Sequence, residues 1–317
     1  MSLSIVIPVY NEVENLPLLH QALCDSLARM EQPWEVLLVD DGSTDGSVAE
    51  LERLAAVDPE HVRVILFRRN FGQTAAMAAG IEEATGDVIV FMDADLQNDP
   101  NDIPMLLEKI DAGYDLVSGW RANRQDDIIR KFPSRIANRM IAKATGVFLH
   151  DYGCSLKAYR SEVIKSFRLF GEMHRFIPAY AGAVGAKILE VSVTHHARKF
   201  GKSKYGLGRT AKVIMDLYTV KLLTSFASKP MYLFGKPGLG MMLAGVVVFI
   251  GAWVERLWRH GVPGFWAMLV LGIVLGVLGF QCLLLGLLAE LIMRTYYETQ
   301  GKPAYHVRKM INIAVKV

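Results

Sequence analysis

"FMDADLQNDP", residues 91–100, decides how this chain is read. The run Val88-Ile89-Val90-Phe91-Met92 is apolar and reads as a buried strand; it stops abruptly at Asp93 and Asp95, with Asp99 close behind. The same pattern repeats upstream. "SIVIPVY" (4–10), "WEVLLVDD" (34–41), "VRVILF" (62–67) and "DVIVFMD" (87–93) are strand-like, and helical stretches follow them at 14–30, 45–56, 74–84 and 101–112. This βαβα alternation predicts a mostly parallel, Rossmann-like α/β sheet with helices on both faces. In such sheets ligands gather at the carboxyl ends of the strands.

Three of those ends carry acid. Strand one delivers Tyr10, Asn11 and Glu12; strand two delivers Asp40 and Asp41 before "GSTDG"; strand four delivers Asp93, Asp95 and Gln97. Carboxylates this close repel one another unless a cation lies among them. Oxygen ligands suit a hard ion, Mg²⁺ or Mn²⁺, and Mg²⁺ usually completes its shell with substrate phosphates. The expected site is therefore metal-bridged and binds a nucleotide diphosphate. The plainer alternative is that such aspartates cap helices and make turns, and Asp45 and the 99–102 group need be nothing more. No G-x-x-x-x-G-K-[ST] or G-x-G-x-x-G follows strand one, which counts against P-loop and dinucleotide-binding folds.

The chain has 317 residues, is 52% hydrophobic and carries a formal net charge of +3; its mean hydropathy is +0.25. Cys24, Cys154 and Cys282 are too scattered for a zinc site or a disulfide framework, and no signal peptide is expected at the N-terminus. The apolar residues concentrate late. Pro237 to Val254 is 18 residues without a charge, and Gly264 to Ala289 is 26. Each is long enough to cross about 30 Å of hydrocarbon. The short connector "ERLWRHGVP" (255–263) makes them a transmembrane hairpin, with Trp253, Trp258 and Trp266 at one interface. Lysines and arginines flank the pair on the other side, so everything but the connector is expected in the cytoplasm of a cell-membrane protein. Gly272 and Gly276 form a G-x-x-x-G that could pack helix on helix. The expected divisions are a catalytic domain over 1–208, an amphipathic juxtamembrane helix over 209–229, the hairpin over 230–293 (spans near 232–256 and 264–292) and a cytoplasmic tail over 294–317.

The segments "IVIPVYNEVENL", "VLLVDDGSTDGS", "RRNFGQTAAMAAGIEEATGDVIVFMDADLQNDP" and "DYGCSLKAYR" resemble inverting family-2 glycosyltransferases of the GT-A fold, specifically the polyprenyl-phosphate branch, across roughly residues 4–210. The resemblance implies that Pro8, Tyr10, Glu12 and Asp40 hold the nucleoside. It also implies that Asp93, Asp95 and Gln97 hold metal and diphosphate. Asp41 is the second acid of strand two and joins the donor-binding set, with turn-making as its alternative; Asn70 and Gln73 either line the donor pocket or cap the next helix. Asp151 of "HDYGC" is positioned as a base or as a loop-ordering residue, both readings open.

The acceptor side has two basic segments. In 128–146, Lys131, Arg135, Arg139 and Lys143 make a stripe beside Phe132, Ile136 and Met140, a pattern for a helix lying at a membrane surface or packed on the sheet. The resemblance places a phosphate-closing loop at Arg198–Tyr205, so Arg121, Arg130, Ser134, Arg198 and Lys204 become candidates to grip the acceptor phosphate. The implied reaction is inverting hexose transfer from a nucleotide sugar, UDP-glucose favoured, to a polyprenyl phosphate. A GDP-mannose or aminoarabinose-type donor stays open, as do homo-oligomerisation and a non-catalytic scaffold or transporter subunit. The membrane spans and modest net charge argue against nucleic acid as a partner.

Overall fold

A computed structural model describes residues 1–28, 30, 32–122, 142, 145–167, 169, 173–197, 231–258, 264–299 and 305–313. The chain forms two compact units. The larger takes residues 1–220 together with 303–317, and the smaller, 221–302, is inserted between them.

The larger unit is built on one eight-stranded sheet. Its strands are β1 (Leu3–Val9), β2 (Trp34–Asp40), β3 (Val62–Phe67), β4 (Val88–Phe91), β5 (Leu116–Trp120), β6 (Lys157–Arg160), β7 (Ile188–Ser192) and β8 (Val307–Ile311), in the spatial order β7-β5-β6-β4-β1-β2-β3-β8. β1 pairs in parallel with β2 and β4, β2 with β3, and β5 with β7. β6 runs antiparallel to both β4 and β5, and β8 antiparallel to β3. The helices α1 (Leu16–Leu27), α2 (Ser47–Val57), α3 (Gln73–Glu83) and α4 (Ile103–Asp111) follow the first four strands. Short helices α5 (Ser161–Lys165) and α6 (Ile177–Ala183) come later.

The first four strands and their helices lie where hydrophobic patterning predicts them, because a strand buried on both faces is an unbroken apolar run. Ile5, Val6 and Ile7, and Val88, Ile89 and Val90, are all 1% exposed or less. Leu16, Leu19, Leu23 and Leu27 recur at helical spacing and carry α1 onto the core. The tail expected over 294–317 holds a structural element instead: Val307–Ile311 is the edge strand β8. Its charged "VRKMI" reads as tail, but it pairs the outer edge of β3 and leaves only a short charged strand exposed.

The smaller unit is the hairpin α7 (Met231–Trp258) and α8 (Phe265–Thr299). Its apolar windows, Phe234–Trp258 and Phe265–Ala289, are only 17% and 11% buried, the reverse of soluble core helices. The helices meet on glycine. A Cβ on Gly245 would lie 2.7 Å from the Gly272 carbonyl, and one on Gly279 2.5 Å from that of Gly238. A Cβ on Gly276 would meet nothing within 4 Å. The close seam is thus two seven-residue pairs, Gly238/Gly245 against Gly272/Gly279, and it includes the expected Gly272-x-x-x-Gly276 stretch, whose Gly276 amide nitrogen would lie 2.9 Å from a Cβ on Gly245. Trp258 and Trp266, at the connector end, are 86% and 72% exposed, as interfacial aromatics are. The expected juxtamembrane helix lies outside the described residues.

Candidate active site

The carboxyl ends of β1 and β2 are laced together by their own loops. The Asn11 amide donates to Ser43 Oγ (2.9 Å), the Thr44 amide to Asn11 Oδ1 (2.8 Å) and the Glu12 amide to Ser47 Oγ (3.0 Å). Asn11 takes a positive φ of 54°, a conformation Asn tolerates better than most residues. Gly42, at φ 73°, has no alternative: a Cβ there would lie 2.5 Å from the Arg69 carbonyl carbon. That close approach brings the turn after β2 against the loop after β3.

Asp40 and Asp41 are adjacent and differ in what they do. Asp40 is 1% exposed; its Oδ2 accepts from the Gly42 and Ser43 amides, both at 3.0 Å, while its Oδ1 is buried with no partner. A buried acceptor left unpaired costs about 1–3 kcal/mol, which a ligand donor would recover. Asp41 is spent on the fold. Its oxygens accept from the Phe71 amide (2.6 Å) and the Gly72 amide (2.9 Å), fixing the loop that leads into α3. Burial raises its pKa, only partly offset by those amides, and neighbouring Asp40 adds to the rise. The donor-binding position predicted for Asp41 is thus occupied by loop contacts. A cleft of ≈ 300 Å³ opens here, lined by Asp40, Ser43, Arg68, Arg69, Asn70 and, from β8, Arg308 among others.

The second group forms around β4. Asp95 is 7% exposed, and its Oδ1 accepts from the Gln97 amide at 3.2 Å. Asp93 accepts from Gln73 Nε2 at 3.0 Å. Burial pushes the Asp93 carboxyl up and Asp95 beside it pushes the same way, while Ser155, Arg121 and Lys157 pull back. Two neighbouring carboxylates, with the Gln97 side chain close in sequence, are a donor set that suits a divalent cation. Gln97 is placed by its backbone: its carbonyl accepts from the His196 amide at 2.9 Å, and His195 Nδ1 is 3.1 Å from it.

Asp151, read as either a base or a loop-ordering residue, and Arg121, read as an acceptor-phosphate ligand, bind each other. Arg121 donates from Nε to Asp151 Oδ2 (2.7 Å) and from Nη2 to Oδ1 (2.9 Å), and the Gly153 amide adds 3.0 Å to Oδ1. Burial opposes the Arg121 charge, but Asp151 outweighs it and holds the guanidinium above its usual pKa. Asp151 is in turn held by Glu190 of β7, whose Oε1 accepts its amide at 2.9 Å. Each charge is thus already matched, and the Gly153 amide on Asp151 fits its loop-ordering reading.

Among the predicted residues, Pro8 (half-buried), Tyr10 (36% exposed), Glu12, Asp40, Asp93, Asp95 and Gln97 come together at one end of the sheet. Arg130, Ser134, Arg198 and Lys204 lie outside the described residues, as does most of 128–146. Three participants went unread. Lys157, 4% exposed at the start of β6, donates to the carbonyls of Cys154 and Tyr152, with its pKa lowered by burial. A lysine opening a strand as "KAYR" was the signal. Ser155 beside Asp93 and Arg308 in the cleft carried none. Another ligand-like trio, His20, Cys24 and Asp58, lies toward the opposite strand ends and is satisfied by its own contacts, with His20 Nε2 3.0 Å from Asp58.

The family model for glycosyl transferase family 2 matches residues 4–168. The chain belongs to this family. Its relatives extend the match beyond the catalytic unit. It is 42% identical over 98% of its length, and 94% of the relative's, to a dodecaprenyl-phosphate galacturonate synthase from Rhizobium johnstonii. It is 40% identical, over 99% and 94%, to an undecaprenyl-phosphate 4-deoxy-4-formamido-L-arabinose transferase from Pectobacterium atrosepticum. Among solved structures, glucosyl-3-phosphoglycerate synthase from Mycobacterium tuberculosis, in complex with Mn²⁺, UDP-glucose and phosphoglyceric acid, aligns with a TM-score of 0.51 at 19% identity, covering 69% of this chain and 79% of that one. That likeness identifies the GT-A fold. The family's chemistry is glycosyl transfer, and this chain is a glycosyltransferase.

Proposed function

We propose that this family-2 enzyme transfers a sugar from a nucleotide diphosphate donor to the phosphate of a polyprenyl phosphate at the cytoplasmic face of a membrane. The observation that carries the reading is the acid pair Asp93/Asp95 just past β4, half-buried and buried, at the same end of the sheet as Asp40, whose Oδ1 lacks a partner. The long apolar hairpin and the full-length likeness to two polyprenyl-phosphate enzymes support a lipid acceptor.

Asp93, Asp95 and Gln97 would hold Mg²⁺ or Mn²⁺, which when bound neutralises the departing diphosphate. Asp40 accepts from the nucleoside, with Pro8, Tyr10 and Glu12 beside it. Gln73 and Ser155 orient Asp93. An acceptor-phosphate oxygen bonds to the anomeric carbon as its bond to the diphosphate breaks, inverting that centre. A phosphate is already anionic at pH 7, so no strong base is required. Asp151 then acts as a positioning residue through Arg121, and Arg130, Ser134, Arg198 and Lys204 remain the acceptor-phosphate candidates.

For the sugar, the relatives favour a change from glucose. Galacturonate and L-arabinopyranose share one ring stereochemistry, since L-arabinopyranose is galactopyranose without its sixth carbon. We infer a galacto-configured donor, UDP-linked, over UDP-glucose. The test is a panel of labelled UDP- and GDP-sugars offered with short polyprenyl phosphate to membranes holding the protein. Lipid-linked product from a galacto-configured donor, lost in Asp95→Ala and in excess chelator, is expected. Product from UDP-glucose alone would refute the stereochemical inference, and transfer that survives Asp95→Ala would refute the metal site.

A further inference from the structure

The strand that returns from the apolar hairpin contributes a charge to the donor cleft. In the β3–β8 ladder Leu66 faces Lys309 and Phe67 faces Val307, so Arg308 drops out of register at a bulge. A bulge turns a side chain away from the strand's normal alternation, and bulges recur beside active sites. Arg308 lines the same cleft as Asp40, Ser43 and Asn70. The residues around it anchor the strand. Tyr305 stacks on Phe67 (5.0 Å, 17°) and donates to Glu82, Lys309 donates to Glu52 at 2.8 Å, and Asn312 donates to the Ala55 and Val62 carbonyls, both at 2.9 Å. Lys309 is thus neutralised, whereas among the described residues no carboxylate engages Arg308.

A cationic guanidinium held at a bulge, in one cleft with a buried carboxylate oxygen that lacks a donor, makes a complementary pair for one ligand. Asp40 accepts and Arg308 donates, as a nucleoside with both kinds of group requires. We propose that Arg308 is a donor-nucleotide ligand, supplied to the catalytic cleft from beyond the hairpin. This rests on the nucleotide-sugar reading above. Donor binding then depends on the last fifteen residues of the chain as well as on the first hundred.

The test is UDP binding to the full-length, detergent-solubilised protein, by calorimetry, for the wild type, Arg308→Ala, Arg308→Lys, Lys309→Ala and Asp40→Ala. Loss of a charged contact predicts a Kd about ten- to a hundredfold weaker for Arg308→Ala. Partial recovery is expected in Arg308→Lys, with Lys309→Ala within twofold of wild type and the melting temperature without nucleotide unchanged in Arg308→Ala. Binding within twofold of wild type in Arg308→Ala, while Asp40→Ala loses it, overturns this proposal and leaves the functional reading standing. Equal losses in Arg308→Ala and Lys309→Ala also overturn it, because a loosened β8 would explain both. If Asp40→Ala binds UDP as the wild type does, the nucleotide reading itself falls, and the role of Arg308 with it.

Discussion

Breaking the Arg121–Asp151 pair separates a base from a brace. Their side chains are 14% and 11% exposed and joined by two hydrogen bonds of 2.7 and 2.9 Å. Removing one partner of such a pair leaves the other charge stranded, at about 3–5 kcal/mol when burial is complete. The residual exposure lowers that to about 2–4 kcal/mol, since water screens what remains. For a unit of this size, about 2–4 °C is lost per kcal/mol, so Arg121→Met should lower the melting temperature by roughly 4–16 °C. Asp151→Asn keeps an acceptor for Arg121 and should lose less, with turnover retained at a tenth or more of wild type. Replacing both residues (Arg121→Met with Asp151→Leu) should cost less than the sum of the single changes by about 1–3 kcal/mol. The assays are nanoscale fluorimetry and initial rates on the same preparations. If Asp151→Asn leaves the melting temperature untouched but cuts turnover a thousandfold or more, the carboxylate is a base and the bracing argument is wrong.

Gly42→Ala should destabilise by at least about 1–3 kcal/mol, because a side chain at φ 73° is strained even before the 2.5 Å approach to Arg69 is counted, and UDP affinity should fall with it; calorimetry of both quantities checks this. In the hairpin, Gly272→Ala should lower the melting temperature in detergent by an over-packing cost of about 1–3 kcal/mol, whereas Gly276→Ala and Gly251→Ala, with open space around them, should not; equal effects would remove the seven-residue seam. For topology, a cysteine at Gly261 should react with an impermeant label in intact cells and one at Val57, which is 65% exposed, should not, and the reverse pattern would put the catalytic unit outside. On the acceptor side, Arg130→Ala and Arg198→Ala should weaken dependence on polyprenyl phosphate about ten- to a hundredfold with UDP affinity unchanged, while Lys143→Ala loses about 1 kcal/mol; identical behaviour of all three would leave only general membrane attraction.

What the sequence made legible was local. The runs ending at Asp40 and Asp93 declare both a buried strand and an acidic strand end within ten residues, and both strands end on the same side of the sheet. What stayed hidden depended on distant partners. Asp151 could be base or brace until Arg121, 30 residues earlier, was found on it. Asp41 looks like Asp40 in sequence, and only the Phe71 and Gly72 amides separate them. β6 (KAYR), β7 (ILEVS) and β8 (VRKMI) are all interrupted by charged residues, so none of them carries the apolar run that marks β1 to β4. Only the Gly272–Gly276 part of the glycine seam was legible, because G-x-x-x-G is sought within one helix, whereas its partners Gly238 and Gly245 lie on the other.

The closing of the sheet by β8 also sets an order of events during synthesis. Val64 waits for Ile311, 247 residues later in the chain. At about 5–20 residues per second, the outer edge of β3 stands bare for some tens of seconds while the apolar hairpin is being made and delivered to the bilayer. Bare strand edges invite pairing with other chains. Nascent chains released before residue 307 should therefore aggregate where full-length chains do not, a difference that pulse-chase sedimentation would detect. The outer edge of β3, and with it the cleft that Arg308 lines, is therefore completed only when the last strand has been made.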